Sequence, residues 1–522
     1  MGPPPSPSIA PALLLLAMAL PPLAAGAAEL NLVDVQRYSG PVTARDQVTS
    51  ITQFSDVQPT SWAYQALSNL VERYGCVAGY PNGSFKGSQP LTRWEAAALL
   101  NACLDRITEV TDELRRLLKE FNAELAVLKG RVDGLEAKVG ELEANQFSTT
   151  TKLNGQATFV LGANAFGGSA PRRAIREEVG ATTFSYDIQL SFDTSFTGKD
   201  LLRTILRAGN FGGSAFGGAG PTGSLSTLEV AFEEDAGPDV LGIDKLYYQF
   251  PLGSGFTATL GGRVGQEDML ALWPSVYPSD TVLNLLTLNG APAAYNKNLG
   301  PGAGLWWQNG PFSVSANYVA ANGNSGNPGE GGIGTNASAG TGTVQIGYAQ
   351  EQWAIAAIYS YIQSGVEVPG TTPLTAFAFE NPSSRTNAFG LSGYWQPSAS
   401  GWIPSISAGW GLNSTSFDTA QAPGALSNSQ SWMVGLEWAD AFVKGNALGL
   451  AVGQPVFATA LTGDASPADG NYAWEAWYEF QVTDAISITP ALFYLSRPLG
   501  QNTPSGETLN QLGGLIKTSF SF

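Results

Sequence analysis

From about residue 147 to its end this chain repeats one pattern: short runs in which every second residue is apolar, separated alternately by short and long polar gaps. In LNGQATFVLGA, Leu153, Ala157, Phe159 and Leu161 alternate with Asn154, Gln156 and Thr158. In FSYDIQLSF, Phe184, Tyr186, Ile188, Leu190 and Phe192 alternate with Ser185, Asp187, Gln189 and Ser191. Period two is the signature of a strand with one apolar and one watery face. A sandwich folded in water carries many charges on its outer face, yet only 13% of the residues are charged and the second face here is Ser, Thr, Asn, Gln and Gly. After the N-terminal segment no run is apolar over the roughly 18 residues that a membrane helix needs. A barrel in a membrane, apolar toward lipid and polar toward a lumen, satisfies both observations.

The spacing sets the strand number. Seventeen candidate strands can be read; LSTLEVAF (225–232) is assigned to a long loop, because bacterial barrels of this kind carry even counts. The remaining sixteen alternate short links (197–200, 251–255, 308–311, 350–351, 397–401, 439–445, 483–484) with long loops. The loops fall near 164–180, 210–241, 266–301, 321–340, 363–385, 414–428, 455–470 and 496–508. The expected fold is therefore a 16-stranded antiparallel transmembrane β-barrel over 147–522, with short turns in the periplasm. Trp306, Trp353, Tyr361, Trp395, Trp402, Trp432, Trp438, Trp474 and Tyr494 recur at strand ends and suit the two membrane interfaces. The last run, GGLIKTSFSF, predicts a closing strand with Leu512, Ile516, Phe520 and Phe522 toward lipid and Lys517 toward the lumen, paired with the first strand near Leu153.

The opening residues contain an apolar core from Ala12 to Leu20 and a small-x-small site at Ala25, Gly26 and Ala27, which predicts a secretory signal over 1–27. A linker, 28–53, follows. The chain contains no histidine, which removes His-based acid–base catalysis, Ser-His nucleophiles and His-ligated metals together. The net charge of −17 speaks against nucleic-acid binding. Neither an enzyme, a metal site nor a cofactor is expected. Cys76 and Cys103 are the two cysteines; in an exported chain they form one disulfide or remain buried thiols.

Residues 54–106 read as two helices around a turn. SWAYQALSNLVERYG places Ala63, Leu67, Leu70 and Tyr74 on one stripe, GYPNGSF is a turn, and Thr92 with Glu95 forms a capping box for the second helix. Phe54, Asp56, Val57, Trp62, Gly79 with YPNGSF, and LTRWE at 91–95 resemble a surface-layer homology (SLH) domain, a module that grips cell-wall polymers. The resemblance implies Asp56, Trp62, Arg93 and Glu95 as cell-wall-binding residues, although Glu95 also serves the capping box and Trp62 also fits a core. In 107–146 Leu118, Phe121, Leu125, Leu128, Val132, Leu135, Val139 and Leu142 recur in steps of three and four. That spacing predicts a coiled-coil stalk on the order of 50 Å long.

A sixteen-stranded barrel leaves a water-filled lumen, so it is expected to conduct. The third long loop carries Glu267, Asp268 and Asp280, and Arg203, Arg207, Arg263 and Lys517 read as inward-facing wall residues. These seven are the candidate pore constriction, an acidic loop opposed by cations. The barrel resembles the carbohydrate-selective (OprB-type) porins, and the order of signal, single SLH domain, coiled coil and barrel resembles outer-membrane porins of cyanobacteria. The resemblance implies an inward-folded third loop, passage of small hydrophilic solutes such as sugars or inorganic ions including iron, and a homotrimer in outer-membrane lipid. Its SLH domains and coiled coils would lie in the periplasm on peptidoglycan or an attached polymer. The alternative is a structural anchor between outer membrane and cell wall with little transport role.

Overall fold

The computed structural model describes residues 150–522 apart from 171 and 279–281, together with residues 52 and 68. The sixteen expected strands are present: β1 (Thr151–Gly168), β2 (Thr183–Thr194), β3 (Leu201–Gly209), β4 (Gly242–Gly253), β5 (Phe256–Gly265), β6 (Leu299–Asn309), β7 (Phe312–Ala320) and β8 (Gly340–Ala349), then β9 (Trp353–Gln363), β10 (Ser384–Trp395), β11 (Ser405–Phe417), β12 (Leu426–Ala439), β13 (Ala447–Leu461), β14 (Tyr472–Thr483), β15 (Ile486–Ser496) and β16 (Leu509–Ser521). Each pairs antiparallel with its neighbours in sequence, and β1 pairs with β16 to close the barrel. Closure matters because an open strand edge has no hydrogen-bonding partner in hydrocarbon. Gly155 N–H donates to Phe522 O at 2.7 Å and Phe522 N–H to Gly155 O at 3.0 Å. The Phe522 ring lies over Gly155, where a Cβ would come within 2.2 Å of it and turn the ring aside.

Alternation follows the sequence pattern. Leu161, Phe184, Leu260, Ile346, Leu391 and Leu492 are exposed on the outside, as lipid-facing residues are. The same holds for Leu512, Ile516 and Phe520 of β16 and for Phe522 just beyond it, while Lys517 is inward and 3% exposed. Most of the expected interface aromatics share the outer face. Trp306 does not: it alternates with the exposed Leu305 and pairs with the buried Ser315, so Trp307, tilted against Phe256, holds the outer position instead.

The long loops are loop 1 (169–182), loop 2 (210–241), loop 3 (266–298), loop 4 (321–339), loop 5 (364–383), loop 6 (418–425), loop 7 (462–471) and loop 8 (497–508). Loop 6 is shorter than its sequence implied because β11 and β12 extend beyond the membrane pattern; the turn 396–404 is no shorter than it. Residues 225–232 belong to loop 2, as expected: a helical turn spans Gly223–Ser226 and Leu228 makes an isolated bridge to Leu283 of loop 3. Loops 5, 7 and 8 are joined through Asp469, which is 1% exposed. Its carboxylate accepts from Thr372 Oγ1 at 2.7 Å, Ala458 N–H at 2.7 Å and Gln501 N–H at 2.8 Å. Burial raises its carboxyl above the ordinary carboxylate range against those donors.

Candidate functional site

Loop 3 leaves β5, turns into the barrel and runs along the inner wall from β6 to β14. Its backbone is held by a row of wall serines. Ala271 N–H donates to Ser315 Oγ of β7 at 2.9 Å, and Tyr277 N–H to Ser407 Oγ of β11 at 3.0 Å. Ser360 of β9 donates to Ala294 O at 2.8 Å, Ser392 of β10 to Asn289 O at 2.7 Å, and Ser431 of β12 to Gly290 O at 3.0 Å. Glycines at inward positions leave room between these bonds. A Cβ on Gly409 would lie 1.8 Å from Asn289 O, one on Gly435 2.6 Å from the Tyr277 ring, and one on Gly304 2.9 Å from Met269.

The far end of loop 3 is fixed by Glu475 of β14, which is 4% exposed. Its carboxylate accepts from the Tyr277 hydroxyl and from Leu283 N–H, the latter at 2.8 Å, while Trp477 Nε1 donates to the same hydroxyl at 2.7 Å. Lys517 lies close enough for its charge to act on Glu475. Leu270, Trp273 and Ala291 to Tyr295 pack on Ile358, Ile362 and Ala388, so the loop buries its apolar side chains against the wall.

The inner face of β2 to β5 is different. Gln189, Ser191, Asp193, Arg203, Arg207 and Lys245 are partly exposed, and each cation among them is ion-paired. Arg203 makes a bidentate pair with Asp193, Nε and Nη2 each 2.8 Å from an oxygen. Arg207 holds Asp187 at 2.7 and 3.3 Å and approaches Asp244 at 4.0 Å. Lys245 Nζ sits 2.7 Å from both Glu267 and Asp268 of loop 3. In this strip three cations face five carboxylates.

The seven pore residues named from sequence therefore divide. Arg203, Arg207, Glu267 and Asp268 line one charged strip, but each arginine is neutralised by a β2 carboxylate, and the acidic pair of loop 3 is met by Lys245, which the sequence reading missed. Lys517 is covered from the lumen, contrary to its expected place in the strip. Arg263 is displaced by a bulge between Gly261 and Val264; it pairs with the outward Leu246, and its Nε donates to Asp244 O at 3.0 Å, not to an acidic side chain of the loop. Asp280 lies outside the described residues, as do Asp56, Trp62, Arg93, Glu95, Cys76, Cys103, the signal segment and the coiled coil. Asp187, Asp193, Glu475 and Lys245 were missed as members. Their inward parity was readable, but the partner that each one meets depends on cross-strand register and on where loop 3 comes to rest.

A closed barrel of this strand number, apolar outside and narrowed inside by its own third loop, is built as an outer-membrane porin. A family model described as the carbohydrate-selective porin, OprB family, matches residues 109–522, and the S-layer homology domain model matches residues 53–97. The chain is 36% identical over 546 residues to an uncharacterized protein of Nostoc sp., an alignment covering 94% of this chain and 88% of that one. Over 109 residues it is 39% identical to the outer membrane protein SlpA of Deinococcus radiodurans, 19% of this chain and 9% of that protein. Among solved structures, a high-pH structure of Pseudomonas putida OprB covers 73% of this chain and 97% of its own at 12% identity, with a TM-score of 0.49. The chain belongs to the carbohydrate-selective OprB porin family and carries an N-terminal SLH domain; it is a protein of the outer membrane.

Proposed function

We propose that the barrel passes small hydrophilic solutes and ions, sugars and inorganic ions such as iron among them, by passive diffusion along the strip of β2 to β5. The observation that carries this reading is the partial exposure of the paired charges on that strip, where the rest of the described inner wall from β7 to β12 is buried under loop 3. Paired charges exchange hydrogen bonds with a passing hydroxylated solute at small cost, whereas an unpaired charge would trap an ion. Arg203, Arg207, Glu267 and Asp268 serve as constriction residues in this reading, with Lys245. The protein acts as a channel and not as an enzyme. Its SLH domain tethers the pore to peptidoglycan or an attached polymer through Asp56, Trp62, Arg93 and Glu95, and three chains assemble around the coiled coil, which multiplies weak wall contacts by avidity.

Purified protein in planar bilayers is expected to give discrete conductance steps. A barrel that inserts and gives none would replace the channel with a structural anchor. Arg93→Ala is expected to lose binding to purified cell wall in a pull-down, and unchanged binding rejects that residue.

A further inference from the structure

The outer wall of the barrel is hollow over β10 and β11. Gly393 of β10 pairs there with Ala408 of β11 on the outward face. One row nearer the short turns Trp395 pairs with Ile406, and one row farther from them Leu391 pairs with Trp410. Two small side chains between large ones leave a recess of about 770 Å³, walled on its far side by Trp432 of β12 opposite Trp410. No side chain can be placed on Gly393 itself, since a Cβ would lie 2.6 Å from Ala354 O. The tryptophans at the upper edge are pinned: Trp410 Nε1 donates to Gln430 Oε1 at 3.3 Å and Trp432 Nε1 to Gln454 Oε1 at 2.7 Å. From Ile406 to Trp410 the recess is about 13 Å tall. That is one leaflet's share of an apolar band about 25 Å high, on the side of the short turns.

Two short turns stand at the foot of this recess and are fastened to each other. The turn 396–404 joins β10 to β11, and the turn 440–446 joins β12 to β13. The Ser400 hydroxyl donates to Asp440, and Trp438 Nε1 donates to Trp402 O at 3.0 Å. The second turn leans toward the outside, where the Tyr478 hydroxyl donates to Ala441 O at 2.8 Å and the Phe442 ring lies 5.9 Å from the Tyr478 ring. The tips of the two turns are apolar: Trp402 is 93% and Phe442 85% exposed, with Ile403 and Val443 exposed beside them. Phe442 stands there at φ 63, a backbone angle that bulky residues rarely adopt. Lys444 comes next, exposed and close enough for its charge to act on Asp440. Of the short turns only this one and 195–200, with Lys199, carry a cation. Large apolar tips beside a cation are unfavourable in water and favourable at a lipid interface, where aromatic rings lie at headgroup depth and a lysine reaches out to phosphate.

We propose that this arc of the barrel holds one phospholipid of the periplasmic leaflet, an acyl chain lying in the recess over Gly393 and Ala408 and the phosphate meeting Lys444. The order of features along the wall is the order of parts in the lipid: an apolar recess one leaflet tall, then apolar turn tips at the interface, then a cation. An empty recess would forfeit the dispersion contacts of the side chains that line it. A flexible acyl chain can fill it, whereas the wall of a neighbouring barrel would have to place a protruding side chain between the tryptophans. The site lies outside the lumen and is independent of the channel reading above.

The test uses the full chain in mild detergent, given either dioleoyl phosphatidylglycerol or dioleoylglycerol, which lacks the phosphate, with bound lipid counted by native mass spectrometry. Wild type is expected to retain one phosphatidylglycerol per chain in preference to dioleoylglycerol. Ala408→Trp fills the recess from its floor and is expected to lose both lipids. Lys444→Glu is expected to lose the preference for phosphatidylglycerol and to keep dioleoylglycerol. Ala303→Trp, the same change on the exposed outer face of β6, is expected to match wild type. Undiminished phosphatidylglycerol on Ala408→Trp overturns the proposal, as does an equal loss on Ala303→Trp. A lower oligomeric state of Ala408→Trp with its lipid unchanged assigns the recess to a second copy of the chain and overturns it too. Where Ala408→Trp does not fold, Lys444→Glu on its exposed turn decides, and an unmoved preference for phosphatidylglycerol rejects the site.

Discussion

Two parts of one inner wall are made from the same polar alphabet and do opposite things. On β7 to β12, Ser315, Ser360, Ser392, Ser407 and Ser431 are no more than 2% exposed, because loop 3 presses its backbone onto them, and Thr341 is covered by the side chains of Asn296 and Asn298. On β2 to β5, Asp193 and Arg203 retain 20% and 33% side-chain exposure. The difference is one of side-chain size. Serine and glycine let a second backbone approach and offer it hydrogen bonds. Arginine and lysine meet a loop only through the ends of long side chains, as Lys245 meets Glu267 and Asp268, and their charges are tolerable only where water or a paired carboxylate remains. The covered wall positions the loop, and the uncovered wall is the passage it leaves.

Substitutions that erase this contrast are expected to act in graded order. The largest effect is expected from Gly409→Val, whose side chain would enter the space of Asn289 O. Overpacking of this kind costs about 1–3 kcal/mol or displaces the loop. Urea unfolding of lipid-refolded protein and the conductance step both report it. The same change at Gly262, where nothing lies within 4 Å, is expected to stay within ~0.5 kcal/mol. Equal effects at the two positions would break the comparison.

Glu475→Ala removes the acceptor of two buried donors, the Tyr277 hydroxyl and Leu283 N–H. Leaving such groups unpaired costs roughly 1–3 kcal/mol, and Glu475→Gln, which keeps one amide oxygen, is expected to lose less in the same unfolding experiment. Lys245→Met tests the uncovered side. It leaves Glu267 and Asp268 without their shared ammonium, so the reversal potential in a potassium chloride gradient is expected to move toward cation preference. An unmoved potential would show that the acidic pair does not face the permeating ions. Arg203→Ala breaks a partly exposed pair and is expected to cost no more than about 1 kcal/mol.

The smallest effect is expected at the turn between β2 and β3, outside both halves. Asp200 accepts from Thr197 Oγ1 at 2.6 Å, Tyr248 hydroxyl at 2.6 Å and Ser195 Oγ at 2.9 Å. The hydrogen bond from the Thr197 hydroxyl, then that from Tyr248, holds its carboxyl well below the ordinary value of 3.8. A depressed carboxyl stabilises the fold above its unfolded pKa, and that contribution is lost as pH falls below it. Unfolding midpoints of wild type and Asp200→Asn are therefore expected to stay apart from neutral pH to about pH 4 and to draw together only below it, as pH falls toward the depressed folded-state value. A gap that persists unchanged in acid contradicts this.

The wall was legible in the sequence because period two, lipid and strand closure each act locally along the chain. Leu161, Phe184 and Leu512 had to face out, and the assignment of 225–232 to a loop followed from the even strand count. The polar face was legible only as polar. Read as wetted throughout, it is in half of the barrel a bed for loop 3; Ser407 and Gly409 looked no different in sequence from Ser191. Trp306 and Arg263 were misplaced for related reasons, one by a single residue of parity and the other by a bulge, since a shift of one residue sends a side chain to the other face.

By itself, then, the sequence determined a membrane barrel, its strand number, its outer face and the inward parity of its charges, because alternation and loop length are written residue by residue. Tertiary structure decided the rest: which cation meets which carboxylate, which serines are wet, and that Glu229 in loop 2 meets Lys297 in loop 3. Those outcomes depend on register and on how long loops fill a lumen, and contacts between residues distant in the chain carry no period from which they can be read.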